Sequence, residues 1–344
     1  MYSIIRRFFF SLDAEFAHKI GLIGMKWLAV LGLSRLIFGS SATHPREVMG
    51  ISFPNVIGLA AGLDKNGDYL HGLSQVGFGF IEIGTITPRP QPGNPQPRLF
   101  RLPESEAIIN RMGFNNAGVE HLINNVKDYR SKYSGTKDNC IIGINIGKNF
   151  DTAVENALDD YLICLEKVYQ YADYITINIS SPNTPGLRNL QFGEQLTELL
   201  TGLKKSQQNL AEQYQKYIPL VVKIAPDMSD DEIKSVALTF LDTKIDGVIA
   251  TNTTISRENL NNSKHQDEAG GLSGKPLKTQ ATHVVKILSE TLQGKIPIIA
   301  AGGIFSAEDA KEKLAAGASL VQLYTGFIYQ GPELIHECSK IVVN

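Results

Sequence analysis

The sequence is poor in the residues that mark disulfide scaffolds and metal sites. Its three cysteines, Cys140, Cys164 and Cys338, are far apart and form no CxxC pair, which excludes a disulfide framework and a zinc-finger signature. It has neither an HxH pair nor clustered carboxylates at its predicted strand ends, so we expect no metallohydrolase and no metal. Histidine is also missing from those segments, which argues against a Ser–His–Asp hydrolase.

Excess charge and long apolar runs are missing too. The 33 basic and 35 acidic residues leave a net charge of −2, which gives no footprint for nucleic acid. The apolar stretch Leu22–Phe38 is interrupted by Lys26 and Arg35, so it is too short and too charged to span a membrane. Asp13 and Glu15 likewise disfavour a cleaved signal peptide.

The N-terminal segment has an amphipathic pattern instead. It predicts two helices, at about residues 4–18 and 21–38, whose basic residues and clustered Phe, Leu, Ile and Trp27 suit a bilayer interface. The alternative is a helical cap packed on the body of the protein. We expect residues 1–40 to form a segment distinct from one catalytic domain over residues 41–344.

After residue 45 the chain repeats one theme, in which an apolar strand ends in a polar or glycine-rich segment and a helical pattern follows. Runs such as IPIIAA and DGVIAT are typical of parallel strands buried on both faces. The repeat fits an open doubly wound sheet or a barrel, and the count of eight favours a (β/α)8 TIM barrel. The eight predicted strands are Asn55–Ala60, Gly79–Gly84, Cys140–Ile144, Asp173–Ile177, Pro219–Val222, Gly247–Ala250, Ile296–Ala300 and Ala318–Leu323.

Helix starts and two insertions complete this outline. Ser229 with Glu232 predicts a capping box, and Asp151 and Ser306 are predicted to begin two further helices. Residues 86–117, proline-rich and then strand-like, and residues 180–192 are long loops of the kind that form lids or binding loops.

Residues just after the strands of a barrel share one surface, where active sites lie. Ala301–Gly303 after strand seven and Tyr324–Gly326 after strand eight predict a phosphate site built from backbone amides. Lys65 and Lys223 imply an anionic partner, with Asp64 as an alternative neighbour for Lys65. These residues predict an enzyme that binds a phosphorylated ligand.

Amides and hydroxyls add to the same face. Converging carboxamides suit a planar ring with alternating N–H and C=O groups. The set comprises Asn110, Asn145, Asn178, Asn183 and Asn252, with the hydroxyls of Ser180, Ser181 and Thr184. From these residues alone redox chemistry is not determined, and an isomerase or lyase with a Schiff-base lysine stays open. A non-catalytic membrane module would leave this polar face unexplained.

Ten motifs in order identify the chain as similar to a known family. They are AGLDKNG, IEIGTITPRPQPGNPQPRLFRL, INRMGFNN, GINIGKN, INISSPNTPGLR, VKIAPD, ATNTT, GGLSGKPL, AGGI and LVQLYTGFIYQGP. Together they resemble the class 2, quinone-linked dihydroorotate dehydrogenases, over nearly the whole chain. The resemblance implies an FMN-dependent dihydroorotate:quinone oxidoreductase of pyrimidine biosynthesis, with one FMN per chain.

The resemblance also assigns residues to the cofactor. The FMN phosphate is expected on Gly303, Tyr324 and Thr325, and Lys223 is expected beside the flavin ring, where its charge stabilises reduced flavin. Thr325 stands where serine is common in the family, and either hydroxyl can bond phosphate. The other matching positions are Ala61, Gly62, Leu63, Asp64, Lys65, Thr85, Asn145, Asn178, Thr251 and Gly274.

For dihydroorotate, the resemblance implies that Ser181 is the base that removes the C5 proton while hydride leaves C6. Lys65 is expected at the substrate carboxylate, and Thr184 and Phe114 near the proton exit. The other substrate positions are Asn110, Arg111, Met112, Gly113, Phe114, Asn178, Asn183, Asn252 and Thr253.

The resemblance places a quinone site under the N-terminal helices, with His18 and Arg101 in its tunnel. It implies a monomer bound peripherally to the cytoplasmic side of the inner membrane. The alternative is a soluble relative that reduces fumarate or a nicotinamide. Cytosolic relatives carry cysteine as the base, so Ser181 and residues 1–38 favour the membrane-linked class.

Overall fold

The computed structural model of the chain describes residues 2–39, 41–136, 138–260 and 264–342. Their helices are α1 Tyr2–Ser11, α2 Ala14–Val30, α3 Ser34–Phe38, α4 Leu70–Ser74, α5 Val119–Tyr133, α6 Ala157–Val168, α7 Gly193–Tyr214, α8 Asp230–Asp242, α9 Lys278–Leu292, α10 Ala307–Ala315, α11 Thr325–Gln330 and α12 Pro332–Ser339. Their strands are β1 Arg46–Val48, β2 Ile51–Phe53, β3 Ile57–Leu59, β4 Phe80–Ile86, β5 Leu99–Leu102, β6 Ala107–Asn110, β7 Ile141–Ile146, β8 Tyr174–Asn178, β9 Leu220–Ile224, β10 Gly247–Ala250, β11 Gly271–Gly274, β12 Ile298–Ala301 and β13 Leu320–Leu323.

Eight parallel strands close into a barrel in the order β3-β4-β7-β8-β9-β10-β12-β13. Closure is made by β13 against β3, where Val321 lies opposite Ile57. The predicted TIM barrel is therefore confirmed, and an open doubly wound sheet is excluded. All eight predicted strands are present, with ends that differ by at most two residues from the pattern.

Aromatic rings fill the lower barrel, opposite the strand ends that carry the polar motifs. The ring of Phe80 occupies the space above Gly58, where a Cβ atom would lie 2.2 Å from it. Tyr174 lies in the same way over Gly143, at 2.1 Å. Phe53, from the β1–β2 hairpin, packs edge-to-face on Phe80. This end of the barrel is therefore filled by side chains, and the polar motifs lie at the opposite, upper end.

Two of the three predicted helix starts are confirmed. Ser229 and Glu232 form the capping box of α8, and Ser306 accepts from the Asp309 amide at the start of α10. The assignment of Asp151 as a cap was wrong. Its carboxylate pairs with Arg89 instead, and α6 begins only at Ala157, after a helical turn over Val154–Asn156.

The N-terminal segment forms three helices, so the predicted pair at 4–18 and 21–38 was wrong in its boundaries. Asp13 ends the first helix early because its side chain accepts from the amides of Glu15 and Phe16 and thereby starts α2. Gly32, in the left-handed region with φ of 70°, separates α2 from α3. Within the described ranges, the helices are too short or too polar for any to cross a bilayer.

A small antiparallel sheet stands beside the barrel mouth. The strand-like half of insertion 86–117 forms the β5–β6 hairpin, and β6 also pairs with β11, which the sequence pattern did not predict. Arg101 of β5 donates to the carbonyl of Phe9 at 2.8 Å and contacts that of Leu12. The hairpin therefore lies between the barrel mouth and the N-terminal helices.

Candidate active site

The upper ends of the barrel strands enclose one polar pocket. Most residues that the sequence assigned to cofactor or substrate line it, and they come from loops far apart in the chain. The predicted residues brought together are Ala61, Gly62, Lys65, Thr85, Asn110, Met112, Gly113, Phe114, Asn178, Ser181, Asn183, Lys223, Thr251, Asn252, Thr253, Gly274, Gly303, Tyr324 and Thr325.

Four predicted residues lie behind or beside the pocket. Asp64 is buried and accepts hydrogen bonds from the amides of residues 66, 68 and 69, so it shapes the loop rather than pairing with Lys65. Burial raises the pKa of Asp64 to about 6, against these hydrogen bonds. Asn145 is fully buried below the pocket, and Leu63 faces a different cavity.

Arg111 is the fourth of these residues. Its Nη1 forms an ion pair of 2.6 Å with Glu268, and its guanidinium stacks 4.6 Å from the centre of the Phe100 ring. The side chain therefore faces the small sheet and not the pocket, whereas its neighbours Met112 and Gly113 line the pocket.

One end of the pocket is a cradle for an anion. Gly303 has φ of 73°, and a Cβ atom there would lie 2.3 Å from the backbone of Lys278, so glycine lets this loop approach the start of α9. The Gly303 amide has no acceptor among the described residues, and Thr325 is the first residue of α11, whose first amides lack helical acceptors. The Thr325 hydroxyl donates to Ser273 at 2.8 Å. Amides and a hydroxyl that converge in this way suit a phosphate.

The two lysines supply positive charge to the rest of the pocket. The ammonium groups of Lys65 and Lys223 form no ion pair or hydrogen bond with another part of the described chain. Burial lowers the pKa of Lys65 to about 8, with help from the charge of Arg98 and against Glu15 and Asp64. Burial also lowers the pKa of Lys223, against the charge of Glu82. Both cations are thus available to an anionic or electron-rich ligand.

Beneath the pocket lies a carboxylate that sequence reasoning missed. Glu82 is wholly buried inside the barrel and accepts four hydrogen bonds. The donors are Asn145 at 2.8 Å, Gln322 at 2.8 Å, Tyr174 at 3.0 Å and Thr176 at 3.1 Å. A charged residue inside the apolar strand FIEIG was the available signal, because both faces of such a strand are buried.

Glu82 fixes the direction of a chain of amides that reaches the pocket. Because the Asn145 amide group donates to Glu82, its oxygen is left to accept from Thr85 at 2.6 Å and from Asn178 at 3.2 Å. The Asn178 oxygen then accepts from Ser180 at 3.1 Å. The chain thus fixes the orientation of the Asn178 amide, which lines the pocket, and a fixed amide orientation is what recognition of a ring with N–H and C=O groups requires.

A partly buried ion pair holds the loop that carries Ser181. Arg188 pairs with Asp227 at 2.7 Å and donates to the carbonyls of Ser180 at 3.0 Å and Thr253 at 2.9 Å. Ser181 is 5% exposed, and its hydroxyl oxygen accepts from the backbone N–H of Asn183 at 3.2 Å. The loop therefore presents Ser181 to the pocket in a fixed position. Sequence reasoning named neither Arg188 nor Asp227.

A second cavity, of about 680 Å³, lies between the N-terminal helices and the barrel. Its walls are mainly apolar, and its polar side chains include His18 and Arg101, which the sequence assigned to this region. Burial lowers the pKa of His18 to about 4, with help from the charge of Lys65, so the ring is neutral at physiological pH. The Arg101 guanidinium lies 4.8 Å from the centre of the Phe10 ring.

The two spaces share a wall. Tyr324 lines both of them, and its hydroxyl is 3.5 Å from the carbonyl of Gly62. The loop after β3 is divided in the same way, with Gly62 on the pocket side and Leu63 on the cavity side. A polar pocket and an apolar cavity that meet at one residue suit an enzyme with two unlike substrates.

Comparison with known proteins identifies this architecture. The profile of the family described as dihydroorotate dehydrogenase matches residues 45–342. A protein of Ectopseudomonas mendocina (strain ymp), named dihydroorotate dehydrogenase (quinone), is 57% identical over 337 residues, which cover 98% of this chain and 97% of that protein. One of the same name from Azotobacter vinelandii is 56% identical over 99% of this chain and 96% of its own length.

Solved structures agree. A crystal structure of DHODH in complex with ferulenol from Eimeria tenella has a TM-score of 0.86 and 40% identity, covering 94% of this chain and 89% of that one. A ligand-free structure of DHODH from the same organism has a TM-score of 0.85 over 95% and 93% of the two chains. The chain therefore belongs to the dihydroorotate dehydrogenase family, in its quinone-dependent class.

Proposed function

We propose that this protein oxidises (S)-dihydroorotate to orotate in the barrel pocket and passes the electrons to a membrane quinone in the second cavity. The names of its relatives support the reaction, and the division of the molecule into a polar and an apolar space supports its separation into two sites. The step belongs to pyrimidine biosynthesis.

The pocket fits FMN in its donor set. The cradle of Gly303 and Thr325 would hold the phosphate, and Lys223 would lie by the flavin ring with Thr85, Asn178 and the β3 loop around it. FMN held there would supply the acceptor for the hydride from C6 of dihydroorotate and a two-electron donor for the quinone. Lys223, which has no partner within the described chain, would meet the charge that reduction creates.

Dihydroorotate would occupy the remaining half of the pocket. Lys65 would bind its carboxylate, and Asn110, Asn178, Asn183 and Asn252 would bond the ring edge. The side-chain amide of Asn183 already donates to the Asn110 carbonyl at 3.2 Å, so the insertion and the catalytic loop close over one space. Thr253, Met112, Gly113 and Phe114 complete its walls.

Ser181 would remove the proton from C5. Its oxygen accepts from the backbone N–H of Asn183, while the hydroxyl hydrogen has no acceptor in the described part of the chain. A serine hydroxyl is a weak base, so proton removal needs hydride departure in the same pocket. Thr184, buried on the same loop, and Phe114 would border the route by which the proton leaves.

Residues 1–40 would form the segment that meets the membrane and opens the quinone cavity. Their helices, with the turn after α2, expose Ile4, Phe8, Trp27, Leu31 and Leu36, which are 60% to 85% exposed. A solvent-facing apolar set of this size on amphipathic helices is typical of peripheral bilayer contact. Attachment to the cytoplasmic side of the inner membrane, and a monomeric state, are part of the proposal.

The observation that carries the proposal is the shared wall at Tyr324, because it joins an anion-binding pocket to an apolar cavity. The test is dihydroorotate oxidation by the purified, flavin-loaded protein with a short-chain ubiquinone, fumarate or NAD as acceptor. We expect turnover with quinone alone. Turnover with fumarate or NAD and none with quinone would keep the barrel site but overturn the role of the cavity and of residues 1–40.

A further inference from the structure

The helix that lines the quinone-side cavity also reaches the other site. Glu15, in the first turn of α2, forms a two-point ion pair with Arg98, with distances of 2.7 Å to Nη2 and 3.1 Å to Nε. The Arg98 residue is 8% exposed, so this pair is largely shielded from water. The pair joins α2 to the 86–117 insertion, and its two residues are 83 positions apart in the sequence.

Arg98 organises the turn that supports the substrate pocket. Its Nη1 donates to two carbonyls of the turn 92–94, at 2.7 and 2.8 Å. Asn94 in turn donates to the Arg111 carbonyl at 2.8 Å and to the Met112 carbonyl at 3.1 Å. The Arg111 amide returns a bond of 2.9 Å to the Arg98 carbonyl. The turn is therefore fastened to the strand end that forms the pocket wall.

The fit between turn and wall leaves little room for adjustment. A Cβ atom on Gly113 would lie 2.9 Å from the Asn94 side chain, and one on Gly93 would lie 2.3 Å from the Met112 carbonyl. A shift of the turn would therefore displace Met112 and Gly113, which line the pocket.

Glu15 also balances charge near the pocket. Burial would raise the pKa of its carboxyl, but the hydrogen bonds and charge of Arg98 hold the pKa below the usual value, and the charge of Lys65 contributes. In the opposite direction, Glu15 raises the pKa of Lys65. The carboxylate thus acts on the pocket both through geometry and through charge.

We infer that Glu15 is a positioning residue for the dihydroorotate site: it fixes Arg98 and, through the turn 92–94, the pocket wall at residues 110–113. This inference rests on the proposed function. The segment that forms the quinone-side cavity then also supports the first substrate. Deletion of residues 1–38 would damage both sites together, so single substitutions are needed to separate them.

The test compares Glu15→Gln and Glu15→Asp with the parent protein, using calorimetric binding of orotate to the flavin-loaded full chain and steady-state KM and kcat. The aspartate keeps the charge but loses reach, so it separates geometry from charge. We expect both variants to bind orotate about tenfold more weakly and to raise the KM for dihydroorotate more than they lower kcat, since a charged hydrogen-bonded pair is lost. The KM for quinone should stay within twofold.

Lys19→Gln is the matched control, because Lys19 is exposed on the same helix. A double variant that combines Glu15→Gln with Arg98→Lys should bind orotate no more weakly than the single variant with the lower orotate affinity, as expected for two groups that act as one pair. The inference would be overturned, with the proposed function left intact, if both Glu15 variants bound orotate as the parent does. It would also be overturned if Glu15→Gln bound orotate more tightly than the parent and Glu15→Asp did not bind it more weakly. Failure of the parent protein to bind orotate would overturn both.

Discussion

The pocket at the barrel mouth and the cavity under the N-terminal helices differ in how their walls are held. In the pocket, amides and hydroxyls are fixed by a hydrogen-bond chain that starts at Glu82 and by the Arg188–Asp227 pair. In the cavity, most of the wall surface is apolar and comes largely from α1, α2 and α11, and ionisable side chains such as Arg6, His18 and Glu333 form the smaller part. The first suits a polar ring whose every group must be matched, and the second a long apolar ligand.

The two spaces also differ in the secondary-structure elements that support them. The pocket is built on barrel strands with their buried core, whereas the cavity rests on helices that are fastened at a few points. Tyr2 donates to the Ile328 carbonyl at 2.6 Å and Arg6 to the Tyr329 carbonyl at 2.7 Å. Support by barrel strands is typical of a rigid site, and support by peripheral helices is typical of a less firmly held one.

The largest effect should come from Ser181→Ala. Loss of a general base costs about 10²- to 10⁴-fold in rate, and the substitution leaves the Glu82 chain intact. We expect flavin content and orotate affinity near those of the parent, with reduction of bound flavin by dihydroorotate slowed by that factor in stopped-flow measurements. Near-normal reduction at neutral pH would remove Ser181 as the base.

The sequence predicted this half of the molecule well, and for a physical reason. Strand ends of a barrel meet on one face whatever the loops do, so Lys65, Asn178, Ser181 and Thr325 could be placed together from their order alone. The supporting contacts could not be placed, because they join residues distant in sequence. Neither the Glu82 donors nor the pairing of Arg188 with Asp227 leaves a local pattern.

The N-terminal helices and the 86–117 insertion were predicted less well. Amphipathic spacing located the helices, but their boundary depends on one cap, Asp13. The apolar pattern continues on both sides of Asp13, so the pattern alone did not show that one helix ends and another begins there. The outward direction of the Arg111 side chain was not foreseen for a related reason: the preceding strand, β6, pairs with β11, which carries only the short run Gly271–Gly274. Pairing partners of short strands are decided by tertiary contacts rather than by propensity.

The next effect tests the cavity alone. Arg101→Met removes its cation and the bonds to α1, so we expect the KM for short-chain ubiquinone to rise about tenfold, the equivalent of one charged hydrogen bond. Reduction of the flavin by dihydroorotate should stay unchanged. Arg35→Met, an exposed change on α3, is the control. An equal loss in both half-reactions would mean that the hairpin, and not the cavity, was disturbed.

A third prediction concerns pH and separates Lys65 from the cavity. Because the pKa of Lys65 is about 8, the free enzyme loses this cation as pH rises through that value. An anionic ligand prefers the charged form, so orotate affinity should fall at most about tenfold per pH unit above pH 8. In Lys65→Arg the charge persists, and the affinity should be lower overall but flat between pH 7 and 9. The KM for quinone should not change as the pH rises through 8, since His18, with a pKa of about 4, stays neutral over this pH range.

The smallest effect concerns the outer surface of the cavity helices. Trp27 is 60% exposed on α2, and its transfer to a bilayer interface should contribute about 1.5 kcal/mol or somewhat more. We expect Trp27→Ser to reduce binding to vesicles of phosphatidylcholine with phosphatidylglycerol by about tenfold, measured by co-sedimentation, with turnover on short-chain quinone in detergent unchanged. Leu238→Ser, at a 53% exposed apolar position on α8, provides the control. If both substitutions weaken vesicle binding equally, membrane contact is not confined to the N-terminal helices, and the contrast between a barrel for chemistry and helices for the membrane does not hold.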